Sequence, residues 1–310
     1  MMPPLTPPNH GLLTTDGWCW NYLLVDGLSL PDAEKRLYQD NEFPAFVNLY
    51  AGTSWDALAD VAPLLISIND KSLFAQRFLA EGFYPGWGYL IKSAQDLHAL
   101  ARQLRQYLQV RHSTGTDFIL RLADPGVAGL LFTEVKAFCT TLSGVQALLL
   151  PDIVRWQWQH MEVASGAGSE GAEENRTGFP LVLSDQEVDK LGEVDEWSLL
   201  KKMTRHLDTY FPAWATLASR FSRSQLLGQL LARARNSGYT SERAQGQWTN
   251  VFGYSSHLER LGDLPPEILT LLDSPPKDTD FAGFERLASE AATLARQSAL
   301  AGNHENSRTE

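Results

Sequence analysis

The fold of this chain is decided by residues 117–127, which read DFILRLADPGV. The apolar run predicts a strand, and because side chains alternate between its faces, Arg121 shares a face with Ile119. Pro125 biases Asp124 toward an extended conformation, so the strand ends there. The run GVAGLLF that follows then starts a helix. The sequence therefore predicts a strand-to-helix junction carrying one cation and one carboxylate.

Such a pair at a strand end can be an active site or a structural clamp. Asp124 stands where a carboxylate can accept hydrogen bonds from the first turn of the helix. A half-buried Arg121 needs carboxylate or carbonyl partners for its guanidinium donors. Catalysis would require a further nucleophile, acid or base, and we find none beside the pair in the sequence. We therefore interpret the pair as a clamp, with Arg105 as a further partner.

Composition restricts the class of protein. The 310 residues, 44% hydrophobic and 20% charged, are typical of a soluble globular chain with one large domain or two. A net charge of −11 argues against a nucleic-acid partner. From the composition of its first residues and its apolar runs we expect neither a signal peptide nor a membrane span. Cys19 and Cys139 favour buried thiols in a reducing cytoplasm over a disulfide. We expect a cytoplasmic protein without a membrane partner.

The composition changes once along the chain. Residues 164–178 read ASGAGSEGAEENRTG, which is small, polar and without apolar periodicity. Such composition is typical of a linker. We expect an α/β domain over residues 1–163, a flexible linker over 164–180 and a helical, cargo-binding lobe over 181–310.

The first part alternates between strand and helix patterns. This order predicts an α/β domain with a mixed sheet and flanking helices. The strand candidates are residues 18–26, 46–50, 64–68, 87–93, 117–122 and 153–161.

The part after the linker reads almost entirely as helix. Ser184 and Glu187 have the spacing of a capping box at the start of the first helix. The predicted helical segments are residues 184–212, 222–238, 240–254 and 279–300. The fold class is therefore α/β followed by an all-α C-terminal lobe.

The chain lacks the usual catalytic motifs. Gly166, Gly168 and Gly171 match a dinucleotide fingerprint, but they belong to the acidic linker rather than to a strand–turn–helix unit. No phosphate-loop or nucleophile-elbow motif occurs, and the histidines are dispersed. We predict no catalytic residue, no metal and no cofactor.

The order of four segments resembles the effector adaptor, or chaperone, family of bacterial type VI secretion (Tap, Tec or VasW types), originally a domain of unknown function. The matching segments begin with an apolar strand entering a D-G turn and end with an Arg-x-x-Asp-Pro signature. They are YLLVDG (22–27), LYAGTSWDALADVAPLLISI (49–68), WGYLIKSAQDLHALARQLRQYLQV (87–110) and FILRLADP (118–125). Gln103 and Leu122 depart from the family, where a histidine and an aromatic residue are common.

The resemblance implies a non-enzymatic carrier. Such proteins bind an effector toxin in the cytoplasm and help to load it onto the VgrG spike, with cargo preference in the variable tail. The residues that match the family motif are Pro63, Arg105, Arg121, Asp124 and Pro125.

A basic stretch in the helical lobe is our candidate for the cargo surface. Residues 201–235 contain seven Lys and Arg but only one acid, Asp208. Solvated helix faces explain the pattern equally well. The candidate partner-binding residues, which include an aromatic side chain expected to be exposed, are Lys201, Lys202, Arg205, Trp214, Arg220, Arg223, Arg233 and Arg235.

Two alternatives stay open. An immunity-type inhibitor that binds a toxin to silence it has the same composition as an adaptor. A hydrolase whose site is assembled from dispersed residues is the other alternative.

Overall fold

The structure is a computed structural model, and it describes residues 19–306 except 41–42, 84, 136–137, 139–141, 143, 153–156, 164–180, 212–213, 215–219 and 256–257. The predicted linker and Cys139 lie outside the described residues. Cys19, predicted to be buried, is exposed. The chain forms two compact units, residues 1–197 and 198–310.

The first unit alternates strands with helices. In chain order its elements are β1 (Tyr22–Val25), α1 (Ala33–Asp40), β2 (Phe46–Asn48), β3 (Leu64–Ser67), α2 (Leu73–Glu81), β4 (Gly88–Ser93), α3 (Leu97–Arg105), β5 (Gln109–His112), β6 (Asp117–Ile119), α4 (Pro125–Glu134), β7 (Val145–Asp152), β8 (Gln157–Glu162) and β9 (Val182–Leu183). A 3₁₀ turn over Asp56–Val61 connects β2 to β3.

Two sheets organise this unit. The larger has the strand order β2-β3-β1-β4-β7-β8, and every neighbouring pair in it is antiparallel. The smaller has the order β6-β5-β9, with β5 antiparallel to β6 and parallel to β9. The predicted fold class, a mixed sheet with flanking helices before a helical region, is confirmed.

The centre of the larger sheet is buried on both faces. All four residues of β1 are buried, which explains their unbroken apolar run. Gly88 lets β4 approach β1 closely, because a Cβ there would lie 1.9 Å from the carbonyl oxygen of Leu24. The backbone of Gly88 also has φ +151°, a value that side chains rarely adopt. A larger residue at this position would separate the two strands.

The structure contains strands that the sequence prediction lacked. Residues 127–144 read as a helix in the sequence, but α4 ends at Glu134 and the chain goes on to β7, a central strand whose residues 145–151 are all buried except Gln146. Residues 93–110 read as one long helix, but α3 ends at Arg105 and β5 follows it. In contrast, β6 ends at Ile119, three residues before the predicted strand end.

Helices make up the second unit. They are α5 (Asp185–Tyr210), α6 (Arg220–Asn236), α7 (Glu242–Tyr254), α8 (Pro266–Asp273) and α9 (Phe281–Asn306). The unit limit lies between Trp197 and Ser198, so α5 begins in the first unit and ends in the second. Along the described residues, no helix has the length and apolar character needed to cross a membrane.

The predicted capping box starts α5. The backbone N–H of Ser184 donates to the carboxylate of Glu187 at 2.8 Å, and the N–H of Glu187 donates to the hydroxyl of Ser184 at 3.3 Å. Aromatic rings pack together in the core of the second unit, where Tyr239 lies edge-on against both Trp248 and Phe284. These rings join the turn after α6 to α7 and α9.

The alkaline stability of the second unit should depend on Tyr239. Its buried hydroxyl donates to the carbonyl of Leu271, and burial, with a smaller contribution from Glu290, raises its pKa to about 12. Because this pKa exceeds the unfolded value of 10.0, the stabilisation is complete below pH 10 and is lost as the pH rises toward 12. Urea unfolding from pH 8 upward should show a shallower decline for Tyr239→Phe than for the wild type. Parallel declines would contradict this assignment.

Candidate functional site

Three charged side chains meet where β1 ends and α4 begins, and we call Asp26, Arg121 and Asp124 the charged cluster. Asp26 directly follows β1, Arg121 lies two residues after β6, and Asp124 caps α4. Both carboxylate side chains are almost completely buried, whereas the Arg121 side chain is 41% exposed. The cluster therefore has one side open to solvent through its cation.

The strongest contact in the charged cluster joins Asp26 to Arg121. The guanidinium Nη2 lies 2.5 Å from Oδ2 of Asp26, although the residues are 95 positions apart. Asp26 also accepts from the Ser29 hydroxyl at 2.7 Å and from the Leu28 N–H at 3.3 Å. A buried carboxylate is costly unless it is paired and hydrogen-bonded, and these contacts satisfy that requirement.

Asp124 combines a helix cap with an ion pair. Its Oδ1 accepts from the N–H of Gly126 at 2.8 Å and from that of Val127 at 3.4 Å. Its Oδ2 lies 3.5 Å from Nη2 of Arg121. Pro125 occupies the first helical turn, where a missing N–H has no consequence. The geometry places this side chain at the junction for which the sequence predicted a clamp.

Asp26 and Tyr50 are members of the site that the sequence analysis did not select. Burial and the charge of Asp26 raise the pKa of the Tyr50 hydroxyl, whereas the cation of Arg121 lowers it. The only sequence signal for Asp26 is its position in the D-G turn of YLLVDG. Nothing in the sequence links this turn to a residue far along the chain.

A second tyrosine, Tyr89, is buried next to the charged cluster. The Tyr89 hydroxyl donates to the carbonyl of Leu122 at 3.0 Å. Burial raises the Tyr89 pKa strongly, and the nearby charge of Asp124 raises it further. Tyr89 and Tyr50 are therefore protonated at neutral pH, and the Tyr89 hydroxyl acts as a hydrogen-bond donor rather than as a base.

Arg105 is not the partner of the clamp that we expected. Its Nε donates to the carbonyl of Leu49 at 3.1 Å, and its Nη2 donates to the carbonyls of Asn48 at 2.8 Å and Ala51 at 3.0 Å. These contacts fix the chain where β2 ends. Pro63 is placed nearby, and its carbonyl accepts from the Leu49 N–H at 2.9 Å.

The predicted partner-binding residues do not form one free surface. Trp214, expected to be exposed, is only 2% exposed because its ring packs edge-on against Phe252. Arg233 holds Asp273 of α8 through two hydrogen bonds, and Lys202 pairs with Glu242. Two of the basic side chains that we predicted to contact cargo are therefore paired with acids of this chain.

The remaining basic residues differ in exposure. Arg205 is exposed, whereas Lys201 and Arg235 are half-buried. Burial lowers the pKa of the Arg223 guanidinium. The negative charge of Glu259 acts in the opposite direction and raises this pKa by a smaller amount. Arg220 begins α6, and its side chain lies outside the described residues. Within the described ranges, no group of three His, Cys, Asp or Glu side chains is arranged to hold a metal ion.

Comparisons with known proteins agree with the resemblance seen in the sequence. Residues 21–137 match the model of the family described as Domain of unknown function (DUF4123). This segment therefore carries a DUF4123 domain, in agreement with the family resemblance that the sequence predicted. It contains the whole charged cluster, Arg105 and Pro63.

The chain is also similar to a curated protein, Accessory protein VasW of Vibrio cholerae serotype O1 (strain ATCC 39315 / El Tor Inaba N16961). The two are 25% identical over 237 residues, which cover 75% of this chain and 74% of the relative. The similarity therefore extends beyond the DUF4123 domain. No solved structure matches the chain.

The charged cluster should stabilise the first unit. Asp124→Ala removes the cap of α4 and one partner of Arg121, so the free energy of unfolding should fall by about 1–3 kcal/mol. Asp124→Asn keeps a cap oxygen, so it should cost less than the alanine variant. Urea unfolding of the full chain gives both values.

The exposed helix cap Asp96 of α3 provides a matched control. It accepts from the Ala99 N–H at 2.8 Å. Asp96→Ala removes a cap without touching a buried ion pair, so it should cost about 1 kcal/mol. Unchanged unfolding of Asp124→Ala, together with lost binding to a partner protein, would instead identify the cluster as a contact site.

Proposed function

We propose that this chain is a non-enzymatic adaptor that binds one type VI secretion effector in the cytoplasm and promotes its loading onto a VgrG-type spike. The match of residues 21–137 to DUF4123 carries the proposal. Similarity to a protein described as an accessory protein supports a coarser accessory role over a larger part of the chain.

The geometry of the charged cluster supports a structural role for the family motif. Asp26 and Asp124 are engaged by backbone N–H groups, a hydroxyl and one guanidinium. The adjoining tyrosines are held protonated by burial. Groups engaged in this way position β1 and α4 rather than activate a substrate.

Loading can be tested directly. We expect VgrG purified from cells that express this chain to carry the effector, and VgrG from cells lacking it to carry none. The effector should keep its toxic activity in the complex. An immunity-type inhibitor would give the opposite result, because it would protect a sensitive cell and leave VgrG loading unchanged.

The catalytic alternative has its own test. The purified chain should not turn over ester, peptide or nucleic-acid substrates, and the Arg121→Ala variant should behave in the same way. Turnover that Arg121→Ala abolishes would identify the charged cluster as an active site and reject the adaptor proposal.

The exposed basic face of α5 is our candidate for effector contact. Lys202 and Arg205 are both exposed and lie three positions apart, so they share one side of the helix. Lys202 and Arg233 are unsuitable for a charge reversal, because the reversed charges would face Glu242 and Asp273. The test therefore uses Arg205. A charged contact of this kind acts chiefly on the association rate.

Reversal of the Arg205 charge should slow effector capture. The variant Arg205→Glu should associate about threefold more slowly at low salt, with unchanged unfolding. Arg296→Glu on α9 makes the same charge change at another exposed position and should leave the rate unchanged. Equal rates for the two variants would move the effector contact to another surface.

A further inference from the structure

The larger sheet ends at β2, whose hydrogen bonds to β3 involve only alternate residues. The carbonyl of Ala45 accepts from the last residue of β3 at 2.8 Å, and the N–H of Leu49 donates to the carbonyl just before β3 at 2.9 Å. In an antiparallel pair the bonding direction alternates along the strand. The backbone groups of Phe46 and Asn48 therefore point away from β3.

Most of these outward groups have no partner in the described part of the chain. The Asn48 carbonyl accepts from Arg105, which closes one position of the edge. The N–H and carbonyl of Phe46 and the N–H of Asn48 bond to none of the described residues. A row of unpaired backbone groups at a sheet edge is a template for another strand.

A cavity of about 520 Å³ opens beside this edge. It lies between α1, Asn48 and the 3₁₀ turn. Its charged lining residues are three acids, Asp32, Glu34 and Asp60, and one base, Lys35. An excess of carboxylates in a concave site favours a cationic side chain.

An exposed aromatic side chain lines the cavity, and two exposed leucines lie next to lining residues in the chain. Tyr38 lines it, is 51% exposed and packs edge-on against Phe46 of the strand edge. Leu28 and Leu58 are each next to a lining residue in the chain, and their exposed fractions are 54% and 45%. Exposed apolar groups around a polar cavity are typical of protein interaction sites rather than of ordinary surface.

We propose that the edge of β2 and the adjoining cavity bind an extended, basic segment of a partner protein. The segment adds a strand beside β2 by bonding to Phe46 and to the Asn48 N–H. Side chains on one face of that strand reach the cavity, where a lysine or arginine meets the carboxylates. Apolar neighbours on the same segment cover Tyr38 and Leu58.

The charge distribution selects this occupant over a second copy of the chain. Two β2 edges paired about a twofold axis would bring the same acidic cavities together, and like charges in an interface are unfavourable. Binding at this site requires only the backbone edge of β2 and the shape and charge of the adjoining cavity. It is therefore independent of the proposed adaptor function.

Short synthetic peptides test the site. We expect a fluorescein-labelled peptide of alternating valine and lysine to raise its anisotropy with the full chain, and this binding to weaken as salt increases. A peptide of alternating valine and glutamate should bind at least about tenfold more weakly. N-methylation of alternate backbone amides in the lysine peptide should remove binding, because it removes the strand hydrogen bonds.

Variants of the chain locate the binding. Asp60→Lys should weaken lysine-peptide binding by about tenfold. Asp70→Lys makes the same charge change at an exposed position after β3 and should have no effect. Thermal unfolding shows whether both variants fold. If Asp60→Lys does not fold, the comparison of methylated with unmethylated peptides on the unaltered chain still tests whether the peptide binds as a strand.

Hydrogen exchange provides an independent measure. Bound peptide should slow exchange of the Phe46 and Asn48 amides by about tenfold and leave the central strand β1 unchanged. Equal binding of the lysine and glutamate peptides, or unchanged exchange in β2, would overturn the proposal. So would peptide binding that is unaffected by Asp60→Lys.

Discussion

The first unit depends on one guanidinium that holds two buried carboxylates. Arg121 contacts Asp26 at the end of β1 and Asp124 at the start of α4, so a single side chain joins segments separated by 95 residues. Neither carboxylate could stay buried and charged without this partner and its own hydrogen bonds. The central strand, the exit from β6 and the first turn of α4 are therefore fixed relative to one another by electrostatics, with apolar packing around them.

The charged cluster and the edge of β2 differ in what their groups contact. The carboxylates of the charged cluster are buried and accept from donors within the fold, whereas backbone groups of Phe46 and Asn48 point away from the sheet beside a cavity. Arg105 binds carbonyls at the end of β2 and makes no bond to Phe46. An edge held rigidly in this way lowers the entropic cost of binding.

The second unit uses its charged and aromatic residues differently. Several of its rings pack against one another inside the helical core, as Trp214 does against Phe252. Arg233 joins α6 to α8, so it stabilises the unit itself. Lys202 likewise pairs with an acid, Glu242, whereas Arg205 on α5 is exposed. Charge counted along the sequence therefore overstated the basic surface, because ion pairs between helices neutralise part of it.

Local signals in the sequence determined much of this protein. They placed the caps Asp124 and Ser184 and most strands, because capping and side-chain alternation involve residues that are neighbours in the chain. They did not reveal β7, since a buried central strand lacks alternation and its leucines also favour a helix. Tertiary structure alone decided that Asp26 pairs with Arg121, that Trp214 is buried and that β2 is an edge. Each of these depends on contacts between distant segments, which no local pattern encodes.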